Sequence, residues 1–317
     1  MEYDFSIIVL TYHPNFEKLK RTIYSVITQT FNNYEIIIAD DGSSVDYFQE
    51  IEAWFKEKRF TAYRLVKNKK NVGTIKNLKS GLEVSNGKYI KALSPGDYLY
   101  NPDTLTRLYC FLQTGNKDVV FGKVSYYSKE NNGNFLLYDK SAPQNLSVYR
   151  KNDMKKIKRN YLKYQDTIVG AGLCLKKEVW QPYIDYISKY IKYCEDASVV
   201  CMLADDCNIS FWDEYIVWYE YGSGISTSEN SKWYHIINGE FEKIYSELEK
   251  KYSWMKKKRE FLYGGKSKNR YLGMFRKIFL SPPYIWFGIR NKIVKEKNKA
   301  DITFLANLEC DKESLKG

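Results

Sequence analysis

Apolar residues along this chain recur with two periods. Phe5-Ser6-Ile7-Ile8-Val9-Leu10-Thr11-Tyr12 is a nearly continuous apolar run with a polar tip, the pattern of a buried parallel strand. Glu35-Ile36-Ile37-Ile38-Ala39 repeats it and runs into Asp40-Asp41-Gly42-Ser43. Lys88-Tyr89-Ile90-Lys91-Ala92-Leu93 repeats it again and stops at Ser94-Pro95-Gly96-Asp97, a strand delivering its end into a turn. Between these runs the period changes. Leu19, Ile23, Val26 and Ile27 recur at helical spacing behind Asn15, a suitable N-cap. Phe48, Ile51 and Phe55 mark a second helix over about 46–58, Thr61 to Val66 a strand, and Leu78 and Leu82 a helix running from Asn71-Val72-Gly73-Thr74 to about Ser85. Strands alternating with helices predict a parallel sheet with right-handed crossovers.

The second hundred residues read less evenly. Pro102-Asp103 opens a helix carrying Leu105, Leu108 and Leu112, and Asp118 to Tyr126 is a strand. Residues 127–160 are polar, rich in Asn and Lys and without a clear period, as in a functional loop or lid. In Thr167-Ile168-Val169-Gly170-Ala171-Gly172-Leu173 the glycines point to a close backbone approach. A helix from about Lys177, the tetrad Tyr193-Cys194-Glu195-Asp196, a helix over Ala197 to Ala204 and an alternating strand over Ile209 to Tyr219 follow. Phe241, Ile244, Tyr245 and Leu248 then return at helical spacing, so residues 232–262 are expected to pack back on the body.

Ligands of open α/β sheets bind beyond the carboxyl ends of the strands, so Tyr12, Asp41 and Asp97 are aimed at one crevice. Each has a plainer reading as well, since Asp is a common turn residue. The start of the helix after Gly73, with Lys76 in its first turn, could hold a phosphate or could be a capped surface helix with a solvated lysine. Glu195-Asp196 opens an apolar helix, where the helix dipole alone favours acids, and Asp205-Asp206 at the other end reads as turn chemistry. There is no G-x-x-x-x-G-K-[ST] and no G-x-G-x-x-G, so neither a P-loop nor a dinucleotide fingerprint is indicated.

At 317 residues and 44% hydrophobic, the chain is long enough for one large domain and an appendage. Its net charge of +12 changes the picture because it is concentrated: between Lys250 and Lys299 sixteen Lys or Arg face only Glu260 and Glu296. A near-neutral body with a basic tail points to an acidic surface as partner. Within that tail Tyr271, Leu272, Met274, Phe275, Ile278, Phe279 and Leu280 are interleaved with Arg270, Arg276 and Lys277, and Tyr284-Ile285-Trp286-Phe287 follows Pro282-Pro283. That is the composition of an interfacial helix on an anionic membrane; otherwise the apolar residues dock on the body and the lysines solvate that face. No nucleic-acid motif stands in the first 220 residues. Met1-Glu2-Tyr3-Asp4 leads straight into a strand, no run is long enough to span a membrane, and the six cysteines lack Cys-x-x-Cys spacing. The expectation is a cytoplasmic protein with reduced thiols, peripheral at the inner face of the cell membrane.

Taken in order, Ser6 to Tyr12, Gln29-Thr30-Phe31, Tyr34 to Ile38, Asp40-Asp41-Gly42-Ser43, Asn71-Val72-Gly73, Lys76-Asn77, Gly81, Gly87-Lys88-Tyr89-Ile90, Asp97 and Glu195-Asp196 resemble the family 2 glycosyltransferases, over about the first 220 residues. The resemblance implies a GT-A fold: a Rossmann-like, mostly parallel α/β sheet flanked by helices, here with a C-terminal helical appendage. It implies a catalytic domain over 1–225, with nucleotide-sugar binding at about 1–100 and the acceptor side at about 101–225, and a basic helical appendage over 226–317. Donor binding would fall to Thr11, Tyr12, Asp41, Lys76, Ser94 and Asp97, with Tyr12 flanking the base and Asp41 accepting a hydrogen bond from it. Asp97 would hold Mn²⁺ or Mg²⁺ on the donor diphosphate, Asp196 would be the catalytic base and Glu195 its supporting neighbour. Two departures stand out: His13 replaces the usual Asn, and Ser94 and Gly96 stand where acids are common.

The implied reaction is transfer of a hexose, with inversion, from a nucleoside diphosphate sugar, most commonly a UDP-sugar, to a hydroxyl of a lipid-linked or protein-linked glycan. Capsule, other surface polysaccharide and surface glycoprotein are the products expected. Two other readings use the same residue types: a nucleotidyltransferase, which would release pyrophosphate instead of nucleoside diphosphate, and a non-catalytic module binding nucleotide or polyanion through the tail.

Overall fold

The computed structural model of the protein describes residues 2–115, 117–130, 133–222, 231–264, 270–293 and 296–310. The chain opens β1 (Tyr3–Thr11), α1 (Phe16–Ile27), β2 (Tyr34–Asp40), α2 (Phe48–Glu57), β3 (Tyr63–Lys67), α3 (Thr74–Val84) and β4 (Gly87–Leu93). It continues through β5 (Tyr98–Leu99), α4 (Thr104–Gln113), β6 (Val119–Lys129), β7 (Phe135–Tyr138), α5 (Leu146–Arg150), α6 (Met154–Tyr164), β8 (Leu173–Lys176), α7 (Lys177–Ile187), α8 (Ser198–Ala204) and β9 (Ile209–Glu220). Helices α9 (Ser231–Lys251), α10 (Ser253–Tyr263), α11 (Arg270–Leu280), α12 (Pro283–Ile293) and α13 (Thr303–Cys310) complete it.

One sheet runs β3-β2-β1-β4-β8-β6-β9-β5, with β7 beside β6. The strands β3, β2, β1 and β4 are mutually parallel; β1, β2 and β4 carry the apolar runs of strands buried on both faces, and the edge strand β3 does not. Beyond them β8 is antiparallel to both β4 and β6, β9 is parallel to β6, and β5 is antiparallel to β9. The register sets Thr11 opposite Asp40 and Val9 opposite Leu93, so the carboxyl ends of β1, β2 and β4 finish along one edge.

Alternation along the strands separates two apolar layers. Ile8, Ile37 and Ile90 face Leu78, Leu82, Trp180 and Val200, while Ile7, Ile36 and Tyr89 share a cluster with Ile23, Phe55 and Leu108. Asn15 caps α1 as its side chain accepts the Lys18 N–H at 3.0 Å. Gln29 joins α1 to α4: its amide donates to the Asn101 carbonyl at 2.8 Å and accepts the Leu105 N–H at 3.0 Å.

Residues 127–160 are not a lid; they hold the end of β6, β7, α5 and most of α6. The apolar positions of α6, Ile157, Tyr161 and Tyr164, are buried at helical spacing, but intervening lysines and arginine mask them in the sequence. Phe241, Ile244, Tyr245 and Leu248 of α9 are buried in the same cluster as Ile8 and Ile90, so α9 is a core element. Helix α13 covers a third apolar cluster with Leu305 and Leu308 against Tyr98 and Trp218. The boundary expected at residue 225 lies outside the described residues, as do the side chains of Tyr271 and Cys310. Cys174, Cys194 and Cys201 are buried free thiols, and Cys110 is exposed. Among the described residues no helix is long and apolar enough to cross a membrane.

Candidate active site

At the shared edge of β1, β2 and β4 lies a cleft of about 490 Å³. Thr11, Tyr12, Asp41, Ser94 and Asp97 line it from the strand ends, and Glu195 and Asp196 line it from the turn before α8. Lys76 does not. Its side chain is exposed on α3, whose inward residues are Ile75, Asn77 and Leu78; Thr74 and Asn77 line the cleft instead. The start of α3 is not an open anion site either: the Val72 and Gly73 N–H groups donate to Asp41, each at 2.8 Å, and the Ile75 N–H donates to the Lys192 carbonyl. Lys18 is the lysine that lines the cleft, ion-paired to Glu220 at 2.5 Å.

The acidic strand ends divide their work. Asp40 is structural, accepting from Thr11 Oγ1 at 3.0 Å and from both the N–H and the hydroxyl of Ser43. Asp41 anchors the loop before α3 and still lines the cleft; a carboxylate has about four acceptor positions, so room for a ligand N–H remains. Tyr12 is half exposed, and the ring of His13 lies 4.3 Å from its own. His13 has φ of 45°, a left-handed conformation in which Asn and His are both enriched, so its replacement of Asn keeps the bend. Its N–H donates to Ser43 Oγ at 2.7 Å and ties the β1 tip to the β2 tip.

Asp97 is both turn residue and cleft residue. Its N–H donates to the Ser94 carbonyl at 2.9 Å, its Oδ2 accepts the Ser94 N–H at 3.2 Å, and its carboxyl is buried. Between them Gly96 has φ of 103°, and a β-carbon there would meet Glu220 Oε2 at 2.8 Å, so glycine serves both the turn and the approach of a second carboxylate. Among the described residues there is no cluster of three or more His, Cys, Asp or Glu able to hold a metal. Mg²⁺ and Mn²⁺ need only one or two carboxylates when substrate phosphates complete the shell, so Asp97 is a fitting donor, with Glu220, whose carboxylate is ion-paired to Lys18, near it at Gly96.

Lys91 sits under this edge, fully buried in β4, and its ammonium donates to the Ala171 carbonyl at 2.6 Å and the Ala92 carbonyl at 2.8 Å. Burial pulls its pKa down to about 8. Burial likewise pushes Asp97 up to about 7, against the pull of Lys91. Lys91 also holds the turn over 170–172 in place. There a β-carbon on Gly170 would fall 2.2 Å from Glu195 Oε1, which is the close approach the glycines foretold. Burial raises Glu195 to about 7 and, together with the Glu195 charge, lifts Asp196 well above the usual carboxylate range.

Lys91, Glu220, Lys18 and Glu240 escape a reading of the sequence alone. Lys91 had one visible signal, a cation inside an otherwise apolar strand. Glu240 had none, since it acts on the site from α9, 44 residues beyond Asp196.

The sequence profile described as Glycosyl transferase family 2 matches residues 6–178, more than half of the chain. The chain belongs to glycosyl transferase family 2. Among curated proteins it is similar to the poly(ribitol-phosphate) beta-N-acetylglucosaminyltransferase TarP of Staphylococcus aureus, 35% identical over 127 residues, or 39% of this chain and 37% of that protein. Glycosyltransferase GlyG of Streptococcus pneumoniae is 29% identical over 133 residues, 42% of each chain. The chain thus matches less than half the length of these relatives. Among solved structures, residues 1–349 of S. aureus TarS in complex with UDP-GlcNAc align with TM-score 0.54 and 16% identity, over 89% of this chain and 80% of that one. The mannosyltransferase PcManGT of Pyrobaculum calidifontis in complex with GDP-Man and Mn²⁺ aligns with TM-score 0.55 and 11% identity, over 99% and 89%. These likenesses establish the fold: a GT-A α/β sheet flanked by helices, followed by C-terminal helices.

Proposed function

We propose that the protein is an inverting, metal-dependent hexosyltransferase that moves a sugar from a nucleoside diphosphate sugar to a glycan hydroxyl. The single observation that carries this reading is the cleft, which is lined at once by Tyr12, Asp41 and Asp97 from three parallel strand ends and by Asp196. A UDP-sugar is the donor we favour, in keeping with the UDP-GlcNAc of the TarS complex. The acceptor is a glycan of a capsule or other surface polysaccharide, or one carried by a surface protein. The enzyme would work in the cytoplasm, peripherally at the inner face of the membrane.

In this reading Tyr12 flanks the base and Asp41 uses its remaining acceptor capacity on the base N–H. Thr11 and Ser94 border the donor, and Asp97 would hold Mn²⁺ or Mg²⁺. Such an ion, when bound, neutralises charge developing on the diphosphate leaving group. Asp196 takes the proton of the acceptor hydroxyl as the new C–O bond forms at the anomeric carbon. The old C–O bond breaks with its electron pair going to the diphosphate, and one displacement inverts the centre. Burial, and after it the charge of Glu195 beside Asp196, keeps the pKa of the base high, which makes it a stronger proton acceptor.

Purified protein incubated with a panel of nucleotide sugars and Mn²⁺, with glycan acceptors, tests this. Release of nucleoside diphosphate from one donor is the expected result. Pyrophosphate released instead from a nucleoside triphosphate supplied with a sugar 1-phosphate would show a nucleotidyltransferase, and binding without any release in either assay would show a non-catalytic module.

A further inference from the structure

We propose that the outward face of the α11–α12 hairpin is a docking surface for an anionic membrane. It rests on the reading of this protein as a maker of surface glycans only for the choice of a lipid surface. The hairpin is fixed to the body by its inner face. Ser281, at the bend, is buried and its hydroxyl meets Lys163 Nζ at 3.0 Å and Tyr164 OH at 3.2 Å. Tyr284 and Phe287 of α12 pack on the ring of Tyr164, with centroids 5.3 and 4.9 Å away. Arg276 donates to the Glu260 and Phe261 carbonyls, using α11 to cap the last turn of α10.

The outer face is apolar and exposed. Leu272, Phe275 and Phe279 stand at i, i+3 and i+7 on α11 and are 60%, 63% and 86% exposed; Trp286 on α12 is 71% exposed. Ile285 and Ile289 on α12 are also exposed. A monomer seldom leaves a contiguous patch of such bulk in water unless something binds there. The charge of the surrounding chain selects the occupant. Residues 250–299 carry sixteen Lys or Arg against two Glu. A two-fold contact between copies would set that cationic segment against itself, whereas an anionic bilayer neutralises it while burying the aromatic stripe.

Cosedimentation of the full chain with vesicles of phosphatidylglycerol and phosphatidylcholine, and with phosphatidylcholine alone, tests the surface. The wild type should pellet with the anionic vesicles and be released by salt, and the quadruple variant Leu272→Ser, Phe275→Ser, Phe279→Ser, Trp286→Ser should bind at least about tenfold more weakly. These side chains lie in solvent, so the variant should keep the wild-type melting curve. Wild type left in the supernatant at low salt, or a variant that pellets as well as wild type, overturns the proposal. So does a wild-type dimer in size-exclusion chromatography that the variant abolishes without any vesicle binding. Vesicle binding with no nucleoside diphosphate release from any donor supports the surface and counts against the transferase reading alone.

Discussion

Glu240 holds the backbone of Cys194, two residues before Asp196: its Oε2 accepts the Cys194 N–H at 2.9 Å and its Oε1 accepts the Lys192 N–H at 2.8 Å. The Tyr193 N–H points at both oxygens, at 3.2 and 2.9 Å. One carboxylate thus gathers three consecutive N–H groups and aims the segment that delivers the proposed base.

Glu240→Gln keeps the shape but puts an amide NH₂ where one acceptor oxygen stood. Turnover per folded enzyme should fall roughly 10- to 100-fold, the scale of a small displacement of a catalytic group, while the donor KM stays within about twofold. Steady-state kinetics on protein quantified by its folded fraction gives the split. An equal change in donor KM, or no change in either constant, would remove Glu240 from the positioning of the site.

The acid limb of the pH profile follows from Asp196, whose pKa is raised by burial and by the neighbouring charge of Glu195. The base works deprotonated, so kcat should rise with pH through a pKa above the ordinary carboxylate range. Glu195→Gln removes the like charge, which lowers the pKa of Asp196 and should move that limb to lower pH. A limb that stays put, or moves to higher pH, contradicts the coupling.

Much of this site was legible because strands buried on both faces leave long apolar runs, and their polar tips stand out. Thr11, Asp41, Ser94 and Asp97 all end such runs and all line the cleft. Lys76 was misplaced because a motif position near a helix start does not say which way the side chain leaves the helix; the inward face went to Asn77, whose amide donates to the Ala39 carbonyl at 2.8 Å. Glu240 and Glu220 were hidden because contacts between residues far apart in sequence leave no local period. The antiparallel strands β5 and β8 are two and four residues long, too short for their alternation to register.

The burial of α9 predicts that the C-terminal part of the chain is needed for the fold. Ile244 is fully buried against the first core cluster, so Ile244→Ala should cost about 2–5 kcal/mol and shift urea unfolding as one transition. Circular dichroism and transferase activity should be lost together. An early separate transition that spares activity would mean that α9 is dispensable to the core.

In the proposed reading Asp97 is the residue that would hold the metal on the donor diphosphate. Asp97→Asn should abolish turnover, and a chelator should abolish it in the wild type with recovery on adding Mn²⁺ or Mg²⁺. Full activity in excess chelator would contradict metal use, and an active Asp97→Asn enzyme would remove Asp97 from the site.

The role of Asp196 is the central claim, and Asp196→Asn tests it most directly. Asparagine is nearly isosteric but cannot take the acceptor proton, so kcat should drop by about 10²- to 10⁴-fold while the Kd for the nucleoside diphosphate, measured by calorimetry on the same samples, stays unchanged. Retained turnover, or a parallel loss of nucleotide affinity, would contradict the account.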